Sequence, residues 1–120
     1  MSIHKHLLLV ENNEREANLL KTILESEGFN VDVAYGGWAA LEKLKIRKYD
    51  SAILDFGLPD MKGNELAEKI TIEDPKMRII LLTGFRPAID PSNLDKFDHI
   101  FEKPVDPKKI LEALRASKKL

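Results

Sequence analysis

The chain has 120 residues, 43% of them hydrophobic and 32% charged, with 19 Lys and Arg against 20 Asp and Glu for a net charge of -1. That length suits one domain with a single core, and the near-neutral balance gives no support to nucleic-acid binding through bulk charge. No cysteine is present, which excludes disulfides and thiol chemistry and agrees with a reducing cytoplasm, and no apolar run approaches a membrane span or the core of a secretory signal.

Leu7-Leu8-Leu9-Val10 is apolar throughout, the pattern of a strand buried on both faces, and it stops at Glu11-Asn12-Asn13. The spacing of Ala17, Leu20, Ile23 and Leu24, with Leu19 at the margin of the stripe, predicts a helix over 14–27, capped by Asn12 or Asn13 and ended by Gly28. Val31 and Val33 alternate with polar neighbours over 30–34, as in a strand near a sheet edge. Gly36-Gly37 turns the chain into a second helix over 38–48, with Ala40, Leu41 and Leu44 inward and Trp38 expected to pack. The next strand, 51–55, runs through Ala52-Ile53-Leu54 and ends in Asp55; Gly57, Pro59, Asp60 and Gly63 then supply turn chemistry.

A third helix over 64–73 carries Leu66, Ala67 and Ile70 inward and stops at Asp74-Pro75. Residues 77–82 form another buried strand, ending in Thr83-Gly84. From 85 to 98 the chain holds Pro87 and Pro91 and has room only for a short helix at about 91–97, with Phe85 expected to pack. His99 to Glu102 is the last strand, ending in Lys103-Pro104. Asp106 caps and Pro107 opens a final helix with Ile110, Leu111 and Leu114 inward; Arg115, Lys118 and Lys119 lie near its carboxyl end, where the dipole favours cations.

Five strands alternating with five helices predict an α/β fold of the (βα)5 type, a parallel sheet with helices on both faces. The carboxyl ends of parallel strands share one edge, where ligands of open α/β sheets bind. Glu11, Asn12, Asp55, Thr83 and Lys103 therefore converge. Asp55 suits a carboxylate nucleophile toward phosphorus. Glu11, Asn12 and Asp55 offer the oxygen ligands that Mg2+ prefers. Thr83 can hydrogen-bond one phosphoryl oxygen and Lys103 can pair with another. Each has a plainer reading: Asp55 as a turn cap, Glu11 as a solvated loop acid, Asn12 as a helix cap beside Asn13 and Glu16, which resemble a capping box, Thr83 as an ordinary strand-end residue and Lys103 as a surface lysine. His4 and His6 read as solvated, and His99 as an ordinary strand residue.

Four segments in order, Leu-Leu-Val-Glu-Asn at 8–12, Leu-Asp-Phe-Gly-Leu-Pro-Asp-Met-Lys-Gly at 54–63, Leu-Leu-Thr-Gly at 81–84 and Phe-Glu-Lys-Pro-Val-Asp-Pro at 101–107, resemble the receiver domain of two-component response regulators over essentially the whole chain, 1–120. The resemblance implies a flavodoxin-like fold with strand order 2-1-3-4-5 and a phosphorelay role. Asp55 would take a phosphoryl group from a histidine kinase or phosphotransfer protein, with Mg2+ held by Glu11, Asn12, Asp55 and the carbonyl of Gly57. Thr83 would be the switch hydroxyl, Lys103 the phosphate-pairing lysine and Lys103-Pro104 a cis peptide. A downstream protein target is implied, with no direct nucleic-acid or membrane contact, in a cytoplasmic protein that is an enzyme only toward its own phosphorylation.

The chain departs from the family in three places. Asn12 replaces the second acid of the usual pair, so weaker Mg2+ binding is expected. Ile100 stands three residues before the lysine, where many members have an aromatic. The stretch from Thr83 to Lys103 is shorter than usual. These departures motivate a rival reading, a receiver-like interaction module independent of phosphorylation. A phosphatase of the haloacid-dehalogenase type is disfavoured because Gly57 sits where its second Asp belongs.

Overall fold

The structure is a computed structural model and describes residues 5–84 and 90–116; His4, Phe85, Pro87, Lys118 and Lys119 lie outside the described residues. The elements follow as β1 (His6–Val10), α1 (Glu14–Ser26), β2 (Asn30–Ala34), α2 (Gly37–Ile46), β3 (Ser51–Asp55), α3 (Gly63–Glu73), β4 (Arg78–Thr83), a 3-10 helix (Pro91–Lys96), β5 (His99–Glu102) and α4 (Pro107–Arg115). The strands form one parallel sheet in the order β2-β1-β3-β4-β5, the flavodoxin-like arrangement. Register aligns their carboxyl ends: Val10 pairs with both Ala34 and Leu54, Asp55 with Leu82, and Thr83 with Glu102.

Side-chain alternation along the strands builds two cores. On one face Leu8, Val10, Ala52, Leu54 and Leu81 pack against Ala40 of α2, Leu66, Ala67 and Ile70 of α3, and Phe97. On the other, Leu7, Leu9, Ile53, Ile80 and Leu82 pack against Ala17 and Leu24 of α1 and Ile110, Ala113 and Leu114 of α4. The near-continuous apolar runs of β1, β3 and β4 follow from coverage on both faces. The edge strand β2 keeps Asp32 and Val33 half-buried.

Two clamps hold the ends of the elements. Tyr49, buried before β3, donates its hydroxyl to Asp32 Oδ2 of β2 at 2.7 Å, and Arg47 reaches the same carboxylate at 3.6 Å. Arg78, buried at the start of β4, donates to the carbonyls of Ala113 at 2.7 Å and Leu114 at 2.8 Å, and to that of Ala116. These are carbonyls that the end of α4 leaves without helical partners. Arg47 also approaches His6 Nδ1, at 3.3 Å.

Three expectations change. The second helix ends at Ile46 rather than 48. Trp38 is 58% exposed, with the Lys69 ammonium 5.6 Å from its ring centre. At about 100° of rotation per residue, Trp38 falls some 200° from Ala40 and so faces away from the core. The fourth helical element is a 3-10 helix, capped by Asp90, whose Oδ1 accepts the Ser92 N–H at 2.9 Å. Among the described residues, no helix is long and apolar enough to cross a membrane.

Candidate functional site

Glu11 lies one residue beyond β1. Its N–H donates to the Ala34 carbonyl at 3.0 Å, extending the pairing with β2, and its side chain continues the row of Leu7 and Leu9. Glu11 is consequently buried, 5% exposed. It is not the solvated loop acid of the plainer reading.

Asp55 ends β3 with its side chain 14% accessible. The loop after it folds back tightly. Phe56 N–H donates to the Leu82 carbonyl at 2.9 Å, Gly63 N–H to the Phe56 carbonyl at 3.0 Å, and Gly57 bridges Lys62. The fit is tight at Gly63: a Cβ there would lie 3.0 Å from Phe56 Cα and 3.1 Å from the Asp55 carbonyl oxygen.

Thr83, 2% exposed at the end of β4, accepts the Lys103 N–H on its carbonyl at 2.7 Å, and a cis Lys103-Pro104 peptide follows. Lys103 then reaches back across the edge. Its Nζ lies 3.2 Å from Asp55 Oδ1, 3.2 Å from Glu11 Oε2 and 3.5 Å from Glu16 Oε2. The sheet thus brings Glu11, Asp55 and Lys103, far apart in sequence, into one charged contact, with Thr83 tied to Lys103 through the backbone.

Burial pushes the Glu11 carboxyl above the usual carboxylate range; the Asn13 N–H opposes this, the Asp55 charge adds to it, and Lys103 opposes it. Burial alone would pull Lys103 down, but the carboxylates of Asp55 and Glu11 outweigh it and hold the ammonium above the ordinary lysine value. Burial, the largest effect, thus leaves the Glu11 carboxyl raised despite the Lys103 ammonium 3.2 Å away. Among the described residues no group of three or more acids or histidines can hold a metal. A metal here must rely on the two carboxylates, Glu11 and Asp55, with neutral oxygens such as the Asn12 amide and the Gly57 carbonyl. That donor set suits Mg2+, which commonly binds through one or two carboxylates and keeps several waters.

Asn12 and Asn13 divide their roles. Asn13 is the cap of α1: its Oδ1 accepts the Glu16 N–H at 3.0 Å, while its own N–H donates to Glu11 Oε1 at 3.1 Å. Asn12 is exposed in the loop and is not the cap. Ile100 is half-buried against the α2 and α3 side of the core. His99 stacks on Phe101, with ring centres 6.1 Å apart, as an ordinary strand residue does.

Two contributors were not legible as site residues. Glu16 reads as half of a capping box, yet its carboxylate reaches Lys103. Asp60 reads as turn chemistry, yet it caps α2 from the loop after Asp55, accepting the Gly37 N–H on Oδ1 at 2.8 Å and the Trp38 N–H on Oδ2 at 2.9 Å. The Trp38 and Gly37 amides together hold its carboxyl below the usual range. The signal was the Gly36-Gly37 pair, which starts a helix with no side chain to cap it.

The family model for the response regulator receiver domain matches residues 7–115. The response regulator ArlR of Staphylococcus aureus is 34% identical over 112 residues, 92% of this chain and 51% of that protein. The aerobic respiration control sensor protein ArcB of Escherichia coli is 41% identical over 71 residues, 59% of this chain and 9% of that protein. The chain therefore spans about half, or much less, of the length of these curated relatives. Among solved structures, a CheY-like receiver domain protein from Methanospirillum hungatei is 32% identical with a TM-score of 0.86, over 94% of this chain and 92% of that one. Response regulator TrrA of Thermotoga maritima, solved in complex with Mg2+ and BeF, is 30% identical with a TM-score of 0.86, over 92% and 96% of the two chains.

Proposed function

The chain belongs to the response-regulator receiver family, and we propose that within it Asp55 is the phosphoacceptor of a two-component phosphorelay. The observation that carries this reading is the Lys103 ammonium lying 3.2 Å from both Asp55 and Glu11 at the carboxyl edge of the sheet. A histidine kinase or phosphotransfer protein presents a phosphohistidine. An Asp55 carboxylate oxygen attacks the phosphorus in line. The P–N bond breaks with its electron pair passing to the imidazole nitrogen, and the new O–P bond makes an acyl phosphate. Such transfers need positioning and charge neutralisation more than covalent assistance.

Lys103 turns from the carboxylates to a phosphoryl oxygen as a point charge. Thr83, at the adjacent strand end, offers its hydroxyl to a second oxygen. Glu11, Asn12, Asp55 and the Gly57 carbonyl would hold Mg2+, which when bound neutralises charge on the transferring group. Because Lys103 N–H is bonded to the Thr83 carbonyl, the two strand ends respond together, and a downstream protein reads the altered surface. This is a local charge event with a wider readout. The protein turns over only its own phosphoryl group, which leaves Asp55 as inorganic phosphate when water cleaves the acyl phosphate, and it acts in the cytoplasm without direct contact to nucleic acid or membrane.

Incubation with Mg2+ and acetyl phosphate, followed by intact mass measurement, tests the reading. A single hydroxylamine-labile phosphoryl adduct, absent in Asp55→Asn, is expected. No adduct from small donors or from a cognate kinase would overturn it in favour of a phosphorylation-independent interaction module.

A further inference from the structure

Glu16 sits at the third position of α1, where a capping box would send its carboxylate back to the N–H of the cap residue. Only half of that box forms. The Glu16 N–H donates to Asn13 Oδ1 at 3.0 Å, but the Asn13 N–H is taken by Glu11 Oε1 at 3.1 Å. Released from the helix terminus, the Glu16 carboxylate turns to Lys103, with Oε2 at 3.5 Å from Nζ. Glu16 is also four residues on from Asn12, the loop position where the site carries an amide instead of an acid. The Lys103 ammonium is thus shared among three carboxylates, those of Asp55, Glu11 and Glu16.

We infer that Glu16 is a positioning residue that competes with the phosphoryl group for Lys103. Resting on the phosphoacceptor reading above, this assigns a regulatory role to a residue outside the motif segments. When Asp55 carries a phosphoryl group, its oxygens draw the same ammonium that Glu16 holds. The Glu16 side chain is 55% exposed and its contact is longer than the other two, so its hold is weak and yields to a doubly charged rival. Its effect is to lower the affinity of the site for a phosphoryl group without entering the reacting set. Exposure also makes the competition sensitive to salt, because ions screen accessible pairs far more than buried ones.

The test uses beryllofluoride as the phosphoryl mimic. Its apparent Kd is measured by calorimetry at saturating Mg2+ for the intact chain, Glu16→Gln and Glu16→Asp, with thermal midpoints recorded in parallel. Glu16→Gln should tighten beryllofluoride binding about two- to fivefold, the range set by an exposed ion pair. Glu16→Asp, whose shorter arm falls short of Lys103, should move in the same direction, and the gain should shrink in ~1 M salt, where the screening length is about 3 Å. A residue that merely capped the helix would shift the thermal midpoint and leave the mimic's affinity alone. Unchanged or weaker binding in Glu16→Gln overturns the inference while wild-type binding leaves the phosphoacceptor reading intact; failure of the wild-type chain to bind the mimic at all overturns both.

Discussion

At the scale of single residues, Lys103 accounts for how two carboxylates can share a buried edge. Glu11 is buried and Asp55 nearly so, and an isolated charge at that depth is costly unless paired. The compensation is incomplete at Glu11, whose carboxyl burial holds above its ordinary range. Asn12 stands next to that acid in the loop. Because it does not cap α1, its amide oxygen is available to a metal, but it brings no formal charge. Asn12→Asp should therefore tighten Mg2+ binding, on the order of tenfold, since ligand charge count is a main determinant of affinity for hard cations. Calorimetric titration measures it, and an unchanged Kd would remove position 12 from the metal shell. Asp55, Thr83, Lys103 and Glu11 were legible because each closes an apolar strand with a polar residue. Glu16 was not, because a capping box predicts where a carboxylate ought to go, and Glu11 had already taken that place.

At the scale of elements, apolar runs covered on both faces made β1, β3 and β4 readable to within a residue. Helix ends were less so. Nothing in the sequence separates the helical Ile46 from Arg47 beyond it, and Trp38 reads as a packing residue although its angle to Ala40 turns it away from the core. The fourth helical segment is too short for its apolar pattern to distinguish i to i+3 from i to i+4 bonding. The loop between β3 and α3 is tightly constrained. Its glycine at position 63 has backbone on two sides, at Phe56 Cα and the Asp55 carbonyl. Gly63→Ala should destabilise the fold by about 1–3 kcal/mol, the usual penalty of overpacking a filled site. Urea denaturation reads the loss as a lower midpoint at constant slope. A neutral result would mean that the loop can shift away from Asp55 freely.

For the whole molecule, the parallel order β2-β1-β3-β4-β5 turns dispersed motifs into one site, which is why topology, read from alternation, was worth more than any spacing. The opposite edge is held by polar clamps that periodicity cannot reveal, Arg78 on the end of α4 and Tyr49 on β2. Tyr49 makes stability depend on pH at the alkaline end. Burial, and then the hydrogen bond and charge of Asp32, raise its pKa above the ordinary 10.0. Above that value the unfolded chain loses the phenol proton while the folded chain keeps it, so the folded state binds more protons and stability falls as pH rises. The contribution is fully present below pH 10 and declines above it by about 1.4 kcal/mol per pH unit. Tyr49→Phe should flatten that decline, seen as a smaller difference in denaturation midpoint between pH 9 and 11; equal slopes in the two proteins would contradict it.

The Asp60 cap has a practical consequence. Its carboxylate joins the loop that begins at Asp55 to the backbone of Trp38, and Trp38 is the one tryptophan in the chain. Its indole is largely open to solvent with a lysine ammonium beside it, surroundings to which indole emission responds. A rearrangement of the loop on loading Asp55 would pull on that residue through its own hydrogen bond to Asp60 and through the one that the neighbouring Gly37 makes. If Asp55 takes a phosphoryl group as proposed, the protein should carry its own unlabelled optical gauge of that event: stopped-flow fluorescence is expected to show a change in Trp38 emission on loading, and constant emission would mean that the loop holds still.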